Sequence, residues 1–151
     1  MIRPACLSDS DSILQLVNTY ATDGLMLRKS PFDVYRHIQS FFVYEEADVV
    51  LGCARLAVVW KDIGEVASLA VSQEYLNKGI GRYLVSACVE RAKDIGLPRV
   101  FALTYQCDFF KKCGFRKVSR ENLPHKVFGD CLMCPKVECC DESAFILDIE
   151  S

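Results

Sequence analysis

Residues 65–85 read EVASLAVSQEYLNKGIGRYLV, which joins an apolar segment to a helical pattern through a turn with two glycines. The segment 65–71 has the length and apolar character of a buried strand. Gly79 and Gly81 stand where a helix begins, and apolar residues then recur at the spacing of one helical face. These residues are Leu84, Val85, Cys88 and Ala92. A buried strand that leads through a glycine turn into a helix is typical of the α/β class.

The segments on either side of this unit predict a mixed sheet with helices packed against it. Before the unit, we expect a strand at 2–4, helices that begin near Ser8 and at Ser30-Pro31, and a hairpin of strands 41–44 and 49–60. The second helix is predicted to turn Val34, Ile38 and Phe41 inward. After the unit, we expect a strand at 100–105, a short helix at 108–112, a strand beyond Gly114-Phe115 and a last strand at 145–149. Antiparallel strands thus precede a strand–helix–strand unit, which predicts a mixed α/β sheet flanked by helices.

Length and composition favour one compact domain over residues 1–151. The chain is 51% hydrophobic and 25% charged, which suits a globular core and excludes a disordered, collagenous or coiled-coil protein. Its formal net charge of -2 provides no field that would draw it to nucleic acid or to an anionic membrane. The most apolar stretch, 49–60, contains Arg55 and is too short to span a bilayer. We therefore expect function to reside in a local site.

The N-terminal residues and the cysteines indicate a cytoplasmic protein. The chain begins MIRPAC, without the apolar segment of a signal peptide. It contains nine cysteines, and an odd number in a chain with a full-sized core argues against a secreted disulfide scaffold. Cys6, Cys53 and Cys88 are predicted to be buried apolar filler. Of the two histidines, His37 is predicted at a helix surface and His125 in a loop.

Four cysteines near the C-terminus allow three interpretations. Cys131 and Cys134 have the spacing of adjacent zinc ligands, and Cys140 is a third candidate ligand, although its neighbour Cys139 cannot easily bind the same ion. A redox pair is the second interpretation, and a reduced cysteine-rich loop is the third. Any metal at these residues would be structural, and we expect catalysis to need none.

The glycine turn predicts an anion site. Glycines let the backbone approach a ligand, and the first N–H groups of a helix lack helical partners. Phosphate would fit there, assisted by the cations of Lys78 and Arg82. The alternative is that both glycines serve backbone conformation only. A dinucleotide-binding fingerprint is excluded because Leu84 occupies its third glycine position, and the Walker pattern is absent as well.

Two segments resemble the signatures of the GNAT superfamily of N-acetyltransferases. Residues 69–71 and 75–84 are similar to its acetyl-CoA signature, and 109–115, FFKKCGF, is similar to its second signature. Leu76 departs from the family pattern, which has Gln or Arg there. The resemblance implies acetyl-CoA as co-substrate. The residues it implies for binding are Leu69, Ala70, Val71, Asn77, Lys78, Gly79, Ile80, Gly81, Arg82 and Phe110.

Within the superfamily, the chain looks most like the short bacterial N-acetylglutamate synthases. The matching segments are 24–30, 64–71, 101–105 and 123–124. This resemblance implies direct transfer of the acetyl group from acetyl-CoA to the α-amine of L-glutamate. The products would be N-acetylglutamate and CoA, in the entry step of arginine biosynthesis. The implied partners are small molecules, without nucleic acid or membrane, and a homodimer is a further expectation.

The resemblance implies two catalytic residues. Glu65 matches the family's general base, which removes a proton from the acceptor ammonium before attack; the alternative is a solvated glutamate at a strand edge. Thr104 matches a hydroxyl residue that protonates the departing thiolate; the alternative is a threonine that merely favours a strand. Many relatives use a tyrosine at the position of Phe110, which has no acidic proton, and Tyr105 is the rival to Thr104.

The resemblance also implies residues for the acceptor. Glutamate has two carboxylates, and arginine binds a carboxylate with two parallel hydrogen bonds. Arg28 matches a substrate-binding arginine, and its alternative is a solvated side chain before a helix. Ser68, in the matching segment 64–71, and Lys136 are the other implied ligands.

Two other functions remain open from the sequence. The first is acetylation of another small amine on the same scaffold. The second is a non-catalytic acyl-CoA sensor in which the C-terminal cysteines act as a redox or metal switch. Release of CoA thiol on addition of an acceptor distinguishes an enzyme from a sensor.

Overall fold

A computed structural model describes residues 1–123 and 142–149, whose strands all join one sheet. The strands are β1 (Ile2–Pro4), β2 (Phe41–Glu46), β3 (Val49–Trp60), β4 (Ile63–Val71), β5 (Arg99–Thr104), β6 (Arg116–Val118) and β7 (Ser143–Asp148). The α-helices are α1 (Ser10–Thr22), α2 (Pro31–His37), α3 (Ile80–Asp94) and α4 (Cys107–Lys112). The order of strands across the sheet is β1-β2-β3-β4-β5-β7-β6.

The sheet is mixed, as the sequence predicts. Strands β1 to β4 pair in antiparallel fashion, and so do β5, β7 and β6. Strands β4 and β5 are parallel, because α3 carries the chain back across the sheet between them. This parallel pair is the strand–helix–strand unit that the sequence predicts.

The helices cover both faces of the sheet. On β3, a side chain at Gly52 would lie 2.9 Å from Leu84 Cδ1 of α3, so Gly52 faces that helix. The next residue, Cys53, points to the opposite face because side chains alternate along a strand. There it packs with Ile13 and Val17 of α1, and with Val34 of α2. The core therefore has an α3 side and an α1–α2 side.

Helix α2 starts where the sequence predicts and ends earlier. Ser30 Oγ accepts a hydrogen bond from the N–H of Asp33, and the Asp33 carboxylate accepts one from the N–H of Ser30. This capping box, with Pro31 in the first turn, determines the start. The prediction that the helix carries Ile38 and Phe41 is wrong: α2 ends at His37, Ile38 lies in a 3₁₀ turn and Phe41 begins β2. Both side chains still pack in the α1–α2 side of the core.

An ion-pair cluster fastens the N-terminal strand. Arg3 Nε lies 2.7 Å from Glu45 Oε2, and Arg3 Nη1 lies 2.8 Å from Asp9 Oδ2. The guanidinium of Arg3 and a hydrogen bond from the Cys6 N–H hold the pKa of Asp9 at about 2. The cluster joins β1, β2 and the turn that leads into α1.

Candidate active site

A gap opens in the sheet between the parallel strands β4 and β5. Their registered pairs are Gly64 with Val100 and Glu65 with Phe101. Both strands continue beyond these pairs, β4 to Val71 and β5 to Thr104, yet the described residues show no further pairing between them. The gap therefore begins directly after Glu65 and extends toward the ends of the strands.

A β-bulge in β4 borders this gap. Cys53 faces Ala70 and Arg55 faces Ala67, so Ser68 and Leu69 share one position of β3. Ser68 has a φ of +54°, and its carbonyl oxygen accepts a hydrogen bond from Cys53 Sγ at 3.5 Å. A bulge takes residues out of the ladder and turns their backbone groups in new directions. Backbone N–H groups around Leu69 to Val71 can thus face a ligand in the gap.

The glycine turn lies at the start of α3. Gly79 has a φ of +86° and occupies the N-cap position of the helix, and Asn77 also has a positive φ. A Cβ at Gly81 would lie 3.0 Å from the ring atom Cε1 of Phe109. Each glycine therefore has a structural reason for its place: backbone conformation at Gly79 and contact with α4 at Gly81. Lys78 and Arg82 are exposed beside the first turn of the helix.

The second signature segment forms α4 and packs it against α3. The ring of Phe110 is 3% exposed and makes edge contacts with the rings of Phe109 and Phe115. Phe109, for which no separate role was predicted from the sequence, is the residue that meets Gly81. The pair Gly81–Phe109 sets the approach of the two helices, whereas the Phe110 ring fills the core.

The two candidate catalytic residues lie on the strands that border the gap and point to opposite faces of the sheet. Glu65 is half-buried and pairs with Phe101. Thr104 is three residues beyond Phe101 on β5, so by alternation it points to the other face. Its side chain is almost fully buried, and its Oγ1 accepts a hydrogen bond from the N–H of Gln106 at 2.8 Å. That bond uses the hydroxyl as an acceptor and leaves its hydrogen available for donation.

The loop between α1 and α2 carries two adjacent cations. Arg28 is exposed, and its Nη2 donates to Thr22 Oγ1 at 2.9 Å. The side chain of Asn18 accepts a hydrogen bond from the Lys29 N–H at 3.0 Å and donates one to the Lys29 carbonyl at 3.1 Å. These two bonds hold the loop against α1. Burial raises the pKa of the Cys53 thiol to about 12, and the positive charge of Lys29 opposes that rise.

Tyr20 connects α1 to the end of β4 and was not found from the sequence. Its hydroxyl donates to the carbonyl oxygen of Val71 at 2.5 Å, and burial raises the pKa of this phenol. The contact joins residues 51 positions apart, so no local pattern indicates it. It fixes the helix that carries the cation loop beside the bulge.

His37 and Arg55 correct a further prediction. His37, expected at a helix surface, is half-buried, and its Nδ1 lies 3.0 Å from Nη2 of Arg55. Arg55 is a half-buried arginine in the middle of β3. A single arginine inside an otherwise apolar strand is the signal that could have indicated this pair.

The cysteine predictions have mixed outcomes. Cys53 and Cys88 are buried as expected, and burial raises the pKa of each thiol to about 12, which suits filler and not a nucleophile. Cys6 is exposed, so its predicted burial is wrong; it precedes a short 3₁₀ turn at the surface. Lys136, Cys131, Cys134 and Cys140 lie outside the described residues, as do Pro124 and His125.

Neither a metal-binding cluster nor a membrane-spanning helix occurs in the part of the chain that the structure describes. Residues 1–123 and 142–149 contain no group of three or more His, Cys, Asp or Glu side chains that could hold a metal ion. Within these ranges, none of the helices has the length and apolar character needed to cross a membrane.

Sequence comparisons relate the chain to acetyltransferases. The profile of the acetyltransferase (GNAT) family matches residues 12–115. An uncharacterized N-acetyltransferase of Chlorobaculum tepidum is 38% identical over 145 residues, which is 96% of this chain and 94% of that protein. An amino-acid acetyltransferase of Mycobacterium tuberculosis is 36% identical over 137 residues, which is 89% of this chain and 77% of that protein.

Solved structures give the same relationship. A Mycobacterium tuberculosis protein crystallised in complex with CoA has a TM-score of 0.86 at 30% identity, with 99% of both chains covered. N-acetylglutamate synthase from Neisseria gonorrhoeae, complexed with coenzyme A and N-acetyl-glutamate, has a TM-score of 0.90 at 27% identity. That match covers 100% of this chain and 35% of the synthase, so this chain spans about a third of its length. The chain belongs to the acetyltransferase (GNAT) family and is an acetyl-CoA-dependent N-acetyltransferase.

Proposed function

We propose that this enzyme transfers the acetyl group of acetyl-CoA to the α-amine of L-glutamate and releases N-acetylglutamate and CoA. The observation that carries the proposal is the position of Glu65, a half-buried carboxylate at the point where β4 and β5 part, directly before the bulge at Ser68. The N-acetylglutamate synthase of Neisseria gonorrhoeae supports the choice of acceptor. On this proposal, the enzyme catalyses a step of arginine biosynthesis.

The acetyl-CoA site would extend from the glycine turn to the bulge. The N–H groups in the first turn of α3, with the cations of Lys78 and Arg82, would bind the pyrophosphate. The positive φ of Gly79 at the N-cap suits such a cradle, and a Cβ there would lie 3.7 Å from Cε2 of Tyr83. Backbone N–H groups of Leu69 to Val71 would donate to the thioester oxygen, where negative charge develops during attack.

Glu65 would prepare the nucleophile. Amino acids carry an ammonium group near neutral pH, and that group cannot attack a carbonyl carbon until it loses a proton. The Glu65 carboxylate would accept this proton, directly or through a water molecule. The amine nitrogen then forms the new bond to the carbonyl carbon, and the carbon–sulfur bond breaks.

Thr104 would complete the proton balance. The sulfur leaves as a thiolate and needs one proton, and the attacking nitrogen must lose a second proton to become an amide. The Thr104 hydroxyl would give its hydrogen to the sulfur and regain one from that nitrogen, directly or through water, because Oγ1 serves the Gln106 N–H as an acceptor only. Phe110 cannot take this role, since its buried ring has no acidic proton. Tyr105, half-buried next to Thr104, is the rival donor.

The cations of the loop between α1 and α2 favour an acidic acceptor. Arg28 and Lys29 lie in the loop that Asn18 and Tyr20 hold near the end of β4. We propose Arg28 as the ligand of the distal carboxylate of glutamate and Ser68 as a second contact. We also propose Lys136 as a ligand of the acceptor, because the family resemblance implies this role. The described cysteines are free thiols, which supports the cytoplasm as the proposed compartment.

The test is a thiol-release assay with acetyl-CoA and a panel of acceptors, namely glutamate, glutamine, aspartate and glycine. We expect glutamate to give the highest kcat/KM, with N-acetylglutamate identified as the product by mass spectrometry. Preference for a neutral acceptor would contradict the proposed substrate and favour another small amine. Acetyl-CoA binding without release of thiol for any acceptor would favour the sensor.

A further inference from the structure

One strip of the sheet surface combines two charged residues with two alanines. On β3 and β4, Arg55 pairs with Ala67, and the neighbouring pair is Ala57 with Glu65. Paired residues in a sheet point to the same face, and so do residues two apart on one strand. The four side chains therefore share one face, which we call the acceptor strip.

The acceptor strip lies between two apolar clusters on that face. Two residues before Arg55, Cys53 belongs to the cluster formed with α1 and α2. Two residues before Glu65, Ile63 belongs to a second cluster, with Phe101 and Ile146. The alanines between these clusters, Ala57 and Ala67, have smaller side chains than the neighbouring residues of the face.

Arg55 is held in place within this strip. Its Nη2 lies 3.0 Å from Nδ1 of His37, which is the last residue of α2. Arginine has no acceptor atom, so this nitrogen donates and His37 Nδ1 accepts. A guanidinium has five N–H groups in one plane, so the hydrogen bond to His37 orients the whole group.

Arg55 on β3 is also the diagonal neighbour of Glu65, the proposed base, on β4. Diagonal neighbours on adjacent strands have Cα atoms roughly 7–8 Å apart. The α-amine of an amino acid is bonded to the same carbon as its α-carboxylate. An amine placed at Glu65 therefore brings its α-carboxylate toward the neighbouring cation on that face.

We propose that Arg55 binds the α-carboxylate of the acceptor and so determines that the enzyme acetylates amino acids. This inference rests on the proposed function, and it assigns Arg55 a task separate from that of Arg28. Arg28 is exposed on the loop between α1 and α2, where it would meet the distal carboxylate. Two cations on two elements would then recognise the two ends of glutamate independently.

The experiment compares three acceptors: glutamate, glutamine, which lacks the distal charge, and isoglutamine, which lacks the α-carboxylate charge. Wild type is expected to prefer glutamate over isoglutamine by at least about tenfold in kcat/KM, which corresponds to 1.4 kcal/mol. Arg55→Met should raise the KM for glutamate by about tenfold or more and bring the glutamate-to-isoglutamine ratio close to one. The glutamate-to-glutamine ratio should remain close to that of wild type.

Two further variants keep the test decisive. Arg36→Met is the matched control, because Arg36 precedes His37 on α2 but is exposed, with its Cζ 5.5 Å from the centre of the Phe32 ring. This variant should leave all three kcat/KM values unchanged. Arg55→Lys retains a charge in the half-buried position and should recover part of the discrimination if Arg55→Met fails to fold.

The outcomes separate the inference from the function on which it rests. If folded Arg55 variants lower kcat/KM for all three acceptors by the same factor, Arg55 has a structural role and the inference is wrong. If wild type acetylates amines without preferring an α-carboxylate, the inference is overturned while the enzyme class stands. If wild type acetylates none of the three, the proposed function fails and the inference fails with it.

Discussion

Glu65 and Phe101 form the last registered pair between β4 and β5, and the gap in the sheet starts at this pair. A carboxylate at the start of a gap is partly shielded from water and still within reach of a ligand. The bulge at Ser68 follows three residues later on the same strand. The proposed base and the proposed donors for the thioester oxygen are therefore adjacent parts of one strand.

The first prediction concerns Glu65 as the general base. Glu65→Gln keeps the shape of the side chain but removes its ability to accept a proton from the ammonium. We expect kcat to fall by roughly 10²–10⁴-fold, the scale of general acid–base catalysis, while acetyl-CoA affinity changes little. Initial rates across pH and calorimetric titration with acetyl-CoA measure the two quantities. A wild-type rate at every pH would assign the role to water or to another residue.

The second prediction concerns the glycine turn. Gly79→Val adds a branched side chain at a φ of +86° and next to the proposed pyrophosphate cradle. We expect CoA affinity to fall by at least about tenfold, or 1.4 kcal/mol, because the new side chain blocks the approach of the ligand. Calorimetric titration with CoA measures the affinity, and thermal unfolding shows whether the variant is folded.

Gly96→Val is the matched control for Gly79→Val. Gly96 has a φ of +90° beyond the other end of α3, and a Cβ there would meet no atom within 4 Å. The control should therefore carry a similar conformational cost, about 1–2 kcal/mol, without altering CoA affinity. Equal CoA affinities for the two folded variants would show that the pyrophosphate does not bind at Gly79.

The third prediction concerns Arg28 and the distal carboxylate. Arg28→Ala should raise the KM for glutamate by about tenfold or more and change kcat less, since this contact persists through the reaction. The KM for glutamine should change little, because glutamine lacks the charge that Arg28 would bind. Arg28→Lys should restore part of the loss, because an ammonium cannot form the two parallel hydrogen bonds of a guanidinium. Unchanged glutamate kinetics in Arg28→Ala would leave Arg28 as a surface residue that contacts Thr22.

The fourth prediction is the pH dependence of the Arg3–Asp9 pair. The pKa of Asp9 is lowered from 3.8 to about 2, first by the hydrogen bond from Arg3. A carboxyl group whose pKa is lower in the folded state than in the unfolded state stabilises the fold. This stabilisation is complete at pH values above the unfolded-state pKa and is lost as the pH falls through the folded-state pKa. The contribution is therefore complete above about pH 5 and disappears as pH falls below 2; a shift of this size is worth about 2 kcal/mol.

Asp9→Asn tests this pH dependence by urea unfolding. The variant should lose about 2 kcal/mol of unfolding free energy at pH 7, and its difference from wild type should shrink as pH falls below 4. Asp11→Asn, at an exposed position in the first turn of α1, is the control and should differ little from wild type. A constant difference between Asp9→Asn and wild type from pH 7 to pH 2 would contradict the ionic origin of the effect.

Short-range features of the sequence account for most of the secondary structure. Strand β3 has the bounds that its apolar run predicts, and α2 begins at the Ser30-Pro31 pair because a cap depends on residues within one turn. The helix ends are less predictable. His37 ends α2 because the chain must turn into β2, and that demand comes from the sheet.

The contacts of the site depend on residues that are distant in the chain. His37 meets Arg55 across 18 positions, and Phe109 faces Gly81 across the whole of α3 and β5. From its helix alone, His37 is predicted to lie at the surface. From its residue type, Cys6 is predicted to be buried filler. Both predictions are wrong because exposure depends on which elements pack together, which no local pattern contains.

By itself, the sequence determined the order of strands and helices, the glycine turn at Gly79 and Gly81, and the family, because spacing and residue type are local properties. Only the tertiary structure decided where β4 and β5 part, which face Glu65 and Thr104 use, and that Arg55 lies diagonal to Glu65. These relationships follow from the register between strands. A shift of one residue in that register would turn each side chain of a strand to the opposite face, so the acceptor strip exists only in the folded sheet.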